Sequence, residues 1–429
     1  MGHSSASSHI VEDLQARVFR VSREVFRSDA VFLRERERLW DGLWLYFGHE
    51  NEVPMPGDFK TRTLGGRPLI LTRDSKGKVR AYLNACPHRG TTLCRETEGN
   101  AKVYQCFYHG WTFANSGELV GIPDEAAYPA ERSFVEQNGL REVPRVESYR
   151  GFLFVSFDPN VIDLTTYLAD AADQLDLVAD HSPRGIEVIP GTHLYSIRGN
   201  WKLAVENAMD GYHFGPTHVT FVEYLKQTGY VASDEGGRAV DLRNGHSMLL
   251  FSGHGGRVGM QWEPRFGEAE RSRTEENRRE LIARLGAERA ARVYGTSRIV
   301  YIFPNLILFD IEGLAARQLE PVAPGMTEVR AWELAPAGEA AEARALRIKI
   351  LGSFIGPGGL ATPDDVEAYE CIQRGILATA GDPRPEVDWS DISRGMEREA
   401  RGEPARSVDE AGLRGFWRHW NTLVTADRR

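Results

Sequence analysis

Cysteine is scarce, with four residues in 429. That is too few for a disulfide scaffold, and the chain is long enough to bury its own core without one. No apolar run approaches the roughly 20 residues of a membrane-spanning helix, so no membrane partner is expected. Positive charge is not in excess: 52 Lys and Arg face 61 Asp and Glu, a net charge of −9. Phosphate backbones need a basic surface, so nucleic acid is not expected as a partner either. The start, Met1 to His9, is small and polar with no apolar centre, so no export signal is read there and a cytoplasmic location is expected. No Gly-x-Gly-x-x-Gly segment sits between a strand and a helix, so no flavin or nicotinamide is expected to be bound. Repeats are absent, and low complexity is confined to the Ser-rich start. What remains is ordinary globular composition, 41% hydrophobic and 26% charged, and the length suits two or three domains.

The few cysteines are unevenly placed. Cys86, Cys94 and Cys106 fall within 21 residues, a clustering that points to a metal or redox site before a disulfide. The texture along the chain divides it into three parts. Residues 11–47 read as amphipathic helix, with apolar positions at Val18, Val21, Val25, Phe32, Leu39 and Leu43. From Val53 short β-rich runs follow (67–72, 79–84, 102–106, 111–113, 151–157), punctuated by Gly, Pro and Asn as in a small all-β domain. Beyond Asp158-Pro159 the reading is α+β, an antiparallel sheet with helices. Residues 164–180 and 202–212 are expected to be helical, the latter stopped by Gly215-Pro216. Residues 191–198, 298–303, 306–311 and 328–334 are expected as strands, and 266–293 as an exposed charged helix. The domain boundaries expected are 1–44, 45–160 and 161–429.

Two constellations carry chemistry. The first is Cys86-Pro87-His88-Arg89-Gly90 followed by Cys106-Phe107-Tyr108-His109-Gly110-Trp111, that is C-x-H, 17 residues, then C-x2-H. Two thiolates and two imidazoles on paired turns suit a Rieske cluster, in which two His replace two Cys on one of two irons. Cys86 and Cys106 would hold one iron, His88 and His109 the other. A Cys2His2 zinc site is the alternative, but a single residue between Cys86 and His88 is tight for one tetrahedral ion. Cys94 reads as a buried free thiol and Cys371 as a core thiol.

The second constellation runs from Asn200 to His218. Asn207, Asp210 and His213 are spaced by three, one face of a helix. His218 can fold back toward the same ion because Gly215-Pro216 breaks the helix. Two His and one carboxylate form the facial triad of oxygen-activating ferrous enzymes. The carboxylate is sought in Thr362-Pro363-Asp364-Asp365. There a plain helix start, with Thr362 as N-cap and acids complementing the dipole, accounts for the composition equally well. Asp364 and Asp365 are the candidates, and Asp365 is taken.

Together these residues resemble the large (α) subunit of Rieske non-haem iron aromatic-ring-hydroxylating oxygenases, from about residue 40 onward. The resemblance implies a Rieske β-domain and a helix-grip catalytic domain. It implies a [2Fe-2S] cluster on Cys86, His88, Cys106 and His109, and a mononuclear Fe(II) on His213, His218 and Asp365. It implies head-to-tail homotrimers, with or without a small β subunit. In such a trimer Asp210 bridges His109 of the partner subunit and its own His213. Electrons would come from NAD(P)H through a separate reductase, directly or through a ferredoxin. The substrates would be O2 and an aromatic compound, converted to a cis-dihydrodiol. Ile302-Phe303-Pro304-Asn305, Gln373-Arg374-Gly375 and Gly415-Phe416-Trp417-Arg418 look most like the members acting on cumate, phthalate, benzoate or terephthalate. Arg317 and Arg374 are then candidate bidentate anchors for a carboxylate, against the plainer reading as surface ion pairs. Rival readings are a Rieske monooxygenase on the same scaffold, a pure electron carrier, and a ligand-binding protein without chemistry. The length beyond the β-domain and the intact second metal set argue against the last two.

Overall fold

The structure, a computed structural model, describes residues 8–129, 132–229, 237–251 and 256–426. The start, Met1–Ser7, where no export signal is expected, lies outside them. The chain forms two compact units, Trp40–Leu164 and a second made of residues 1–39 with Thr165–Arg429.

The smaller unit is built from antiparallel sheets. Four strands run in the order Val79–Leu83, Arg67–Arg73, Asp58–Leu64, Glu98–Asn100. Three run Leu119–Gly121, Thr112–Ala114, Val103–Gln105, and three run Arg145–Tyr149, Phe152–Ser156, Leu45–His49. Each β-rich run of the sequence becomes one of these strands, some alternating (Val103–Gln105, Thr112–Ala114) and some buried throughout (Phe152–Ser156), as short runs bounded by turn residues do. Phe59, Tyr104, Trp111 and Phe113 pack with Cys86, Cys94 and Cys106 in its core.

The larger unit is organised on one eight-stranded antiparallel sheet. Its path is Ile186–Val188, Met326–Pro336, Gly313–Ala323, Leu306–Ile311, Ser297–Ile302, Ser247–Phe251, Arg238–Asp241, with His193–Ile197 also paired to Met326–Pro336. Cross-strand partners share a face. The register Leu249↔Ile299↔Phe309↔Ala315 and Ile307↔Arg317↔Ala331 therefore places Leu249, Ile299, Phe309 and Arg317 on one side.

Two expectations are corrected here. Residues 11–22 are a hairpin, Ile10–Asp13 with Val18–Ser22, and not helix. Phe19 and Val21 are buried while Arg20 between them is exposed. That alternation has period two, which the scattered charges around it obscure. A single 3-10 turn follows at Arg23–Phe26, α-helix begins at Asp29, capped by the Ser28 hydroxyl, and residues 45–47 belong to the strand Leu45–His49. Cys371 is exposed. It sits on the outer face of the helix Thr362–Ala378, bonded to Glu367.

A buried ion pair ties the N-terminal segment to the larger unit. Lys202 Nζ meets Glu35 Oε1 at 2.6 Å, and both side chains are shut away from solvent. The Trp201 and Trp420 indoles donate to the same carboxylate. Burial holds the Lys202 ammonium below its ordinary pKa, against the opposing charge of Glu35. Removing one member of such a pair strands the other and costs about 3–5 kcal/mol, whereas replacing both with apolar groups costs far less. We expect Glu35→Ala to lower the urea midpoint of the larger unit, followed by tryptophan fluorescence. The double change Glu35→Leu, Lys202→Met should recover most of the loss. A single variant as stable as the parent would contradict this account.

Candidate metal centres and pocket

The two Cys/His boxes fold into matching turns. The Gly90 amide donates to the Cys86 carbonyl and the Cys86 amide to the Thr91 carbonyl. In the second box Gly110 donates to Cys106 and Cys106 to Trp111. Gly90 and Gly110 have φ of +76° and +73°, a region in which only glycine is unstrained. Cys86 and Cys106 are buried. The His88 ring stacks on Trp111 at 4.8 Å and meets the His109 ring at 4.6 Å. Among the described residues His88 Nδ1 is buried with no hydrogen-bond partner, an atom that a metal ion would satisfy. Burial lowers the His88 imidazole and raises the Cys86 thiol from their ordinary values. A neutral imidazole is the ligand form, and metal binding has to displace the thiol proton.

Among the described residues, His213, His218 and Asp365 bring donor atoms within 4.8 Å of one another. The four residues of the boxes do not converge in that way. One zinc ion would draw all four to a point, whereas a two-iron cluster keeps cysteines and histidines apart, so the boxes fit the cluster. Phe107 and Tyr108 between the second pair stand exposed, and Cys94 is a buried free thiol.

The second centre is assembled from two helices far apart in the chain. The helix Trp201–Ala208, capped by the Asn200 side chain, ends at Ala208 and does not continue to Tyr212. The Asp210 carboxylate takes the Tyr212 amide in a tight side-chain turn, and the Gly211 amide goes to the Ser407 carbonyl. Both divert backbone groups from a helical ladder. Gly215-Pro216 does not break a helix; it lies inside a short one, Phe214–Thr217. Proline is tolerated there because first-turn amides have no partner to lose.

This bend aims both imidazoles at one carboxylate. His218 Nε2 is 3.2 Å and His213 Nε2 3.6 Å from Asp365 Oδ1. Asn207 Nδ2 donates to the same oxygen at 2.9 Å. Asp364 turns the other way, its Oδ2 3.4 Å from His218 Nδ1, where it can orient that ring. Burial would raise Asp365, but the hydrogen bond and charge of His218, with His213 and Arg317, hold it below its usual range. Burial would lower His213; the Asp210 and Asp365 carboxylates outweigh it and raise it. Asp210 Oδ2 lies 3.7 Å from His213 Nδ1. The Thr362 hydroxyl does not cap its helix. It accepts from Arg317 and donates to the Ile355 carbonyl.

These residues open onto a cavity of about 330 Å³. Leu249, Phe251, Ile299, Phe309 and Ile311 line one side of it, and Phe221 and Phe354 are further lining residues. Besides the metal ligands and Asp210, two charged side chains lie in the lining, Arg317 and Glu312. Arg317 is buried, its guanidinium 4.7 Å above the Phe309 ring and bonded to the Ile355 carbonyl and Thr362 hydroxyl. Among the described residues no carboxylate forms an ion pair with it. Arg374 is elsewhere. It lies on the exposed face of Thr362–Ala378, paired with Glu367, and is absent from the pocket lining. The helical period explains the split. Asp365, Tyr369 and Gln373 share the buried face, and Arg374 is one step off it. Glu312 is a pocket residue that sequence reasoning missed. Its only signal was an acid within an apolar run.

Comparison with known proteins follows the same division. The Rieske [2Fe-2S] domain family matches residues 43–149, and the catalytic domain of the ring-hydroxylating α subunit matches residues 168–426. The α subunit of toluate 1,2-dioxygenase from Pseudomonas putida is 33% identical over 426 residues, 95% of this chain and 89% of its own. The large subunit of anthranilate 1,2-dioxygenase from Acinetobacter baylyi is 34% identical, covering 91% of this chain and 83% of its own. Among solved structures, naphthalene 1,2-dioxygenase with indole in its active site superposes with a TM-score of 0.84 at 26% identity, covering 98% of this chain and 94% of that one.

Proposed function

The chain belongs to the α subunits of Rieske-type ring-hydroxylating oxygenases, and from that premise we propose that it cis-dihydroxylates the ring of an aromatic carboxylate. The observation that carries the substrate class is Arg317, a buried cation in the wall of the metal pocket with no carboxylate partner of its own among the described residues. A buried guanidinium is stabilised by a bidentate anion, and an aromatic acid supplies one.

The metal groups, when bound, supply electrons one at a time and activate O2; everything else falls to the protein. Cys86, His88, Cys106 and His109 would hold the cluster, and His213, His218 and Asp365 the ferrous ion. Arg317 takes the substrate carboxylate. The apolar side chains of the sheet hold the ring and exclude water. Asn207 fixes Asp365 by its side-chain amide, and Asp364 fixes the His218 ring. Among the described residues no helix is long and apolar enough to cross a membrane. Like other family members, the chain is an oxygenase component that receives electrons from a partner. We assign that role to a reductase, with or without a ferredoxin, and the working assembly to a homotrimer in which Asp210 faces His109 of the partner subunit.

The test is product analysis under labelled oxygen, with benzoate and a neutral aromatic of the same size, on the parent and on Arg317→Met. Two labelled atoms on adjacent carbons are expected. One atom would make the protein a monooxygenase. Arg317→Met should raise KM for the acid by roughly 10–100-fold, the worth of a hydrogen bond to a charged group, and leave the neutral ring little affected. An unchanged KM for the acid would remove Arg317 as the anchor.

A further inference from the structure

Glu312 is the charged group of the pocket that remains besides the metal ligands, Asp210 and Arg317, and nothing in the reaction uses it. It stands between the strands Leu306–Ile311 and Gly313–Ala323 at a φ of +59°, a conformation that few non-glycine residues adopt. Its backbone is held there by the Val258 amide, which donates to its carbonyl at 3.0 Å. Only 3% of the residue is exposed. One carboxylate oxygen, Oε1, accepts from Arg265 Nη2 at 2.6 Å. The other, Oε2, is buried with no hydrogen-bond partner among the described residues.

A buried, half-satisfied carboxylate is costly unless something completes it. Arg265 neutralises its charge from behind and leaves one acceptor to spare in a residue that lines the substrate cavity. Arg317 is five residues further along, on the strand Gly313–Ala323. Extended chain separates the two Cα atoms by up to about 16 Å. Apolar side chains of the neighbouring strands lie along the same pocket. The pocket is therefore polar at two separated points of opposite chemistry, a cation beside the metal ligands and an acceptor at the end of the strand pair.

We propose that Glu312 is a specificity-determining residue, accepting a hydrogen bond from an amino or hydroxyl group on the side of the substrate ring remote from its anchor. Resting on the aromatic-acid reading above, this narrows the substrate to an aromatic carboxylate bearing a hydrogen-bond donor away from the carboxyl group. An apolar isostere would enter the same space but leave Oε2 unpaired. Sites that read a donor discriminate against its absence far more strongly than apolar pockets discriminate size.

The experiment is calorimetric binding to the iron- and cluster-loaded enzyme, with two matched pairs of ligands. The first pair is 4-aminobenzoate and 4-methylbenzoate; the second is 4-methylaniline and para-xylene, which carry no carboxylate. Amino and methyl are close in size, so each ratio isolates the donor. We expect the parent to prefer the amino member by at least about tenfold in both pairs. Glu312→Gln, which can turn its own donor toward the ligand, should lower that ratio about tenfold. Because a ratio is read, partial loss of folded or loaded protein cancels. The parent alone also decides: no preference for the amino member overturns the proposal without any variant. A preference that survives Glu312→Gln overturns it too. Arg317→Met should weaken both acids equally and keep the ratio. If it weakens neither, the carboxylate anchor fails while the neutral pair still judges Glu312.

Discussion

Asp365→Ala is expected to abolish turnover and to strip mononuclear iron from the protein while the visible absorbance of the cluster persists. Asp365 Oδ1 is the point on which the site converges, taking contacts from His218 Nε2, His213 Nε2 and the Asn207 amide. Its loss leaves two imidazoles and no anion, a set too weak to hold a ferrous ion that prefers mixed nitrogen and oxygen ligands. The cluster lies in the other compact unit on ligands of its own, so its content should not change. Metal analysis gives iron per chain, and the spectrum gives cluster per chain. Asn207→Ala is the graded comparison: removing an outer partner of a ligand weakens metal affinity by roughly 10–100-fold and does not abolish it. Full iron retention in Asp365→Ala would move the carboxylate ligand elsewhere, with Asp364 next in line at 3.4 Å from His218 Nδ1.

Asp210→Ala is expected to keep both metals and still lose turnover by at least about a hundredfold, the scale on which misplaced reacting groups fail. Asp210 ligates nothing in this arrangement. Its Oδ2 stands 3.7 Å from His213 Nδ1, its Oδ1 holds the Tyr212 amide, and its side chain is partly exposed. It can therefore accept from an imidazole presented by a neighbouring copy while it orients His213. The informative readout is reoxidation of the pre-reduced cluster on adding substrate and O2. That rate should fall in Asp210→Ala and recover in part in Asp210→Glu, which restores the carboxylate. If turnover falls but cluster reoxidation does not, Asp210 serves only to shape the loop. If iron is lost as well, its role is in holding His213.

How much of this was legible in the chain depended on distance along it. The cluster boxes were readable because each is a turn of a few residues whose ligands, glycines and hydrogen bonds are local. The histidine pair was readable for the same reason, although the path between the two was not. The helix ends at Ala208 because the Asp210 side chain and the Ser407 carbonyl claim the amides that would continue it, and Ser407 is distant in sequence. The strand Gly313–Ala323 was not read at all. Its first nine residues are all buried, and a strand covered on both faces shows no alternation. That strand carries Arg317 and begins beside Glu312, so the residues argued to select substrate were the hardest to find. Arg317 and Arg374 looked equivalent as candidates and are not, since helical phase puts one arginine outside and sheet register puts the other inside.

The sequence by itself determined which donors exist and how they are spaced: two Cys/His boxes, a pair of histidines, and two adjacent acids at a helix start. Local spacing is sufficient for that, because turns and helix faces are built from near neighbours. Only the tertiary structure decided which acid meets the histidines, which arginine enters the pocket, and that Glu312 also lines it. Asn207 and Asp365 are 158 residues apart and 2.9 Å apart in space. No periodicity encodes such a contact; it follows from how the sheet and its covering helices pack.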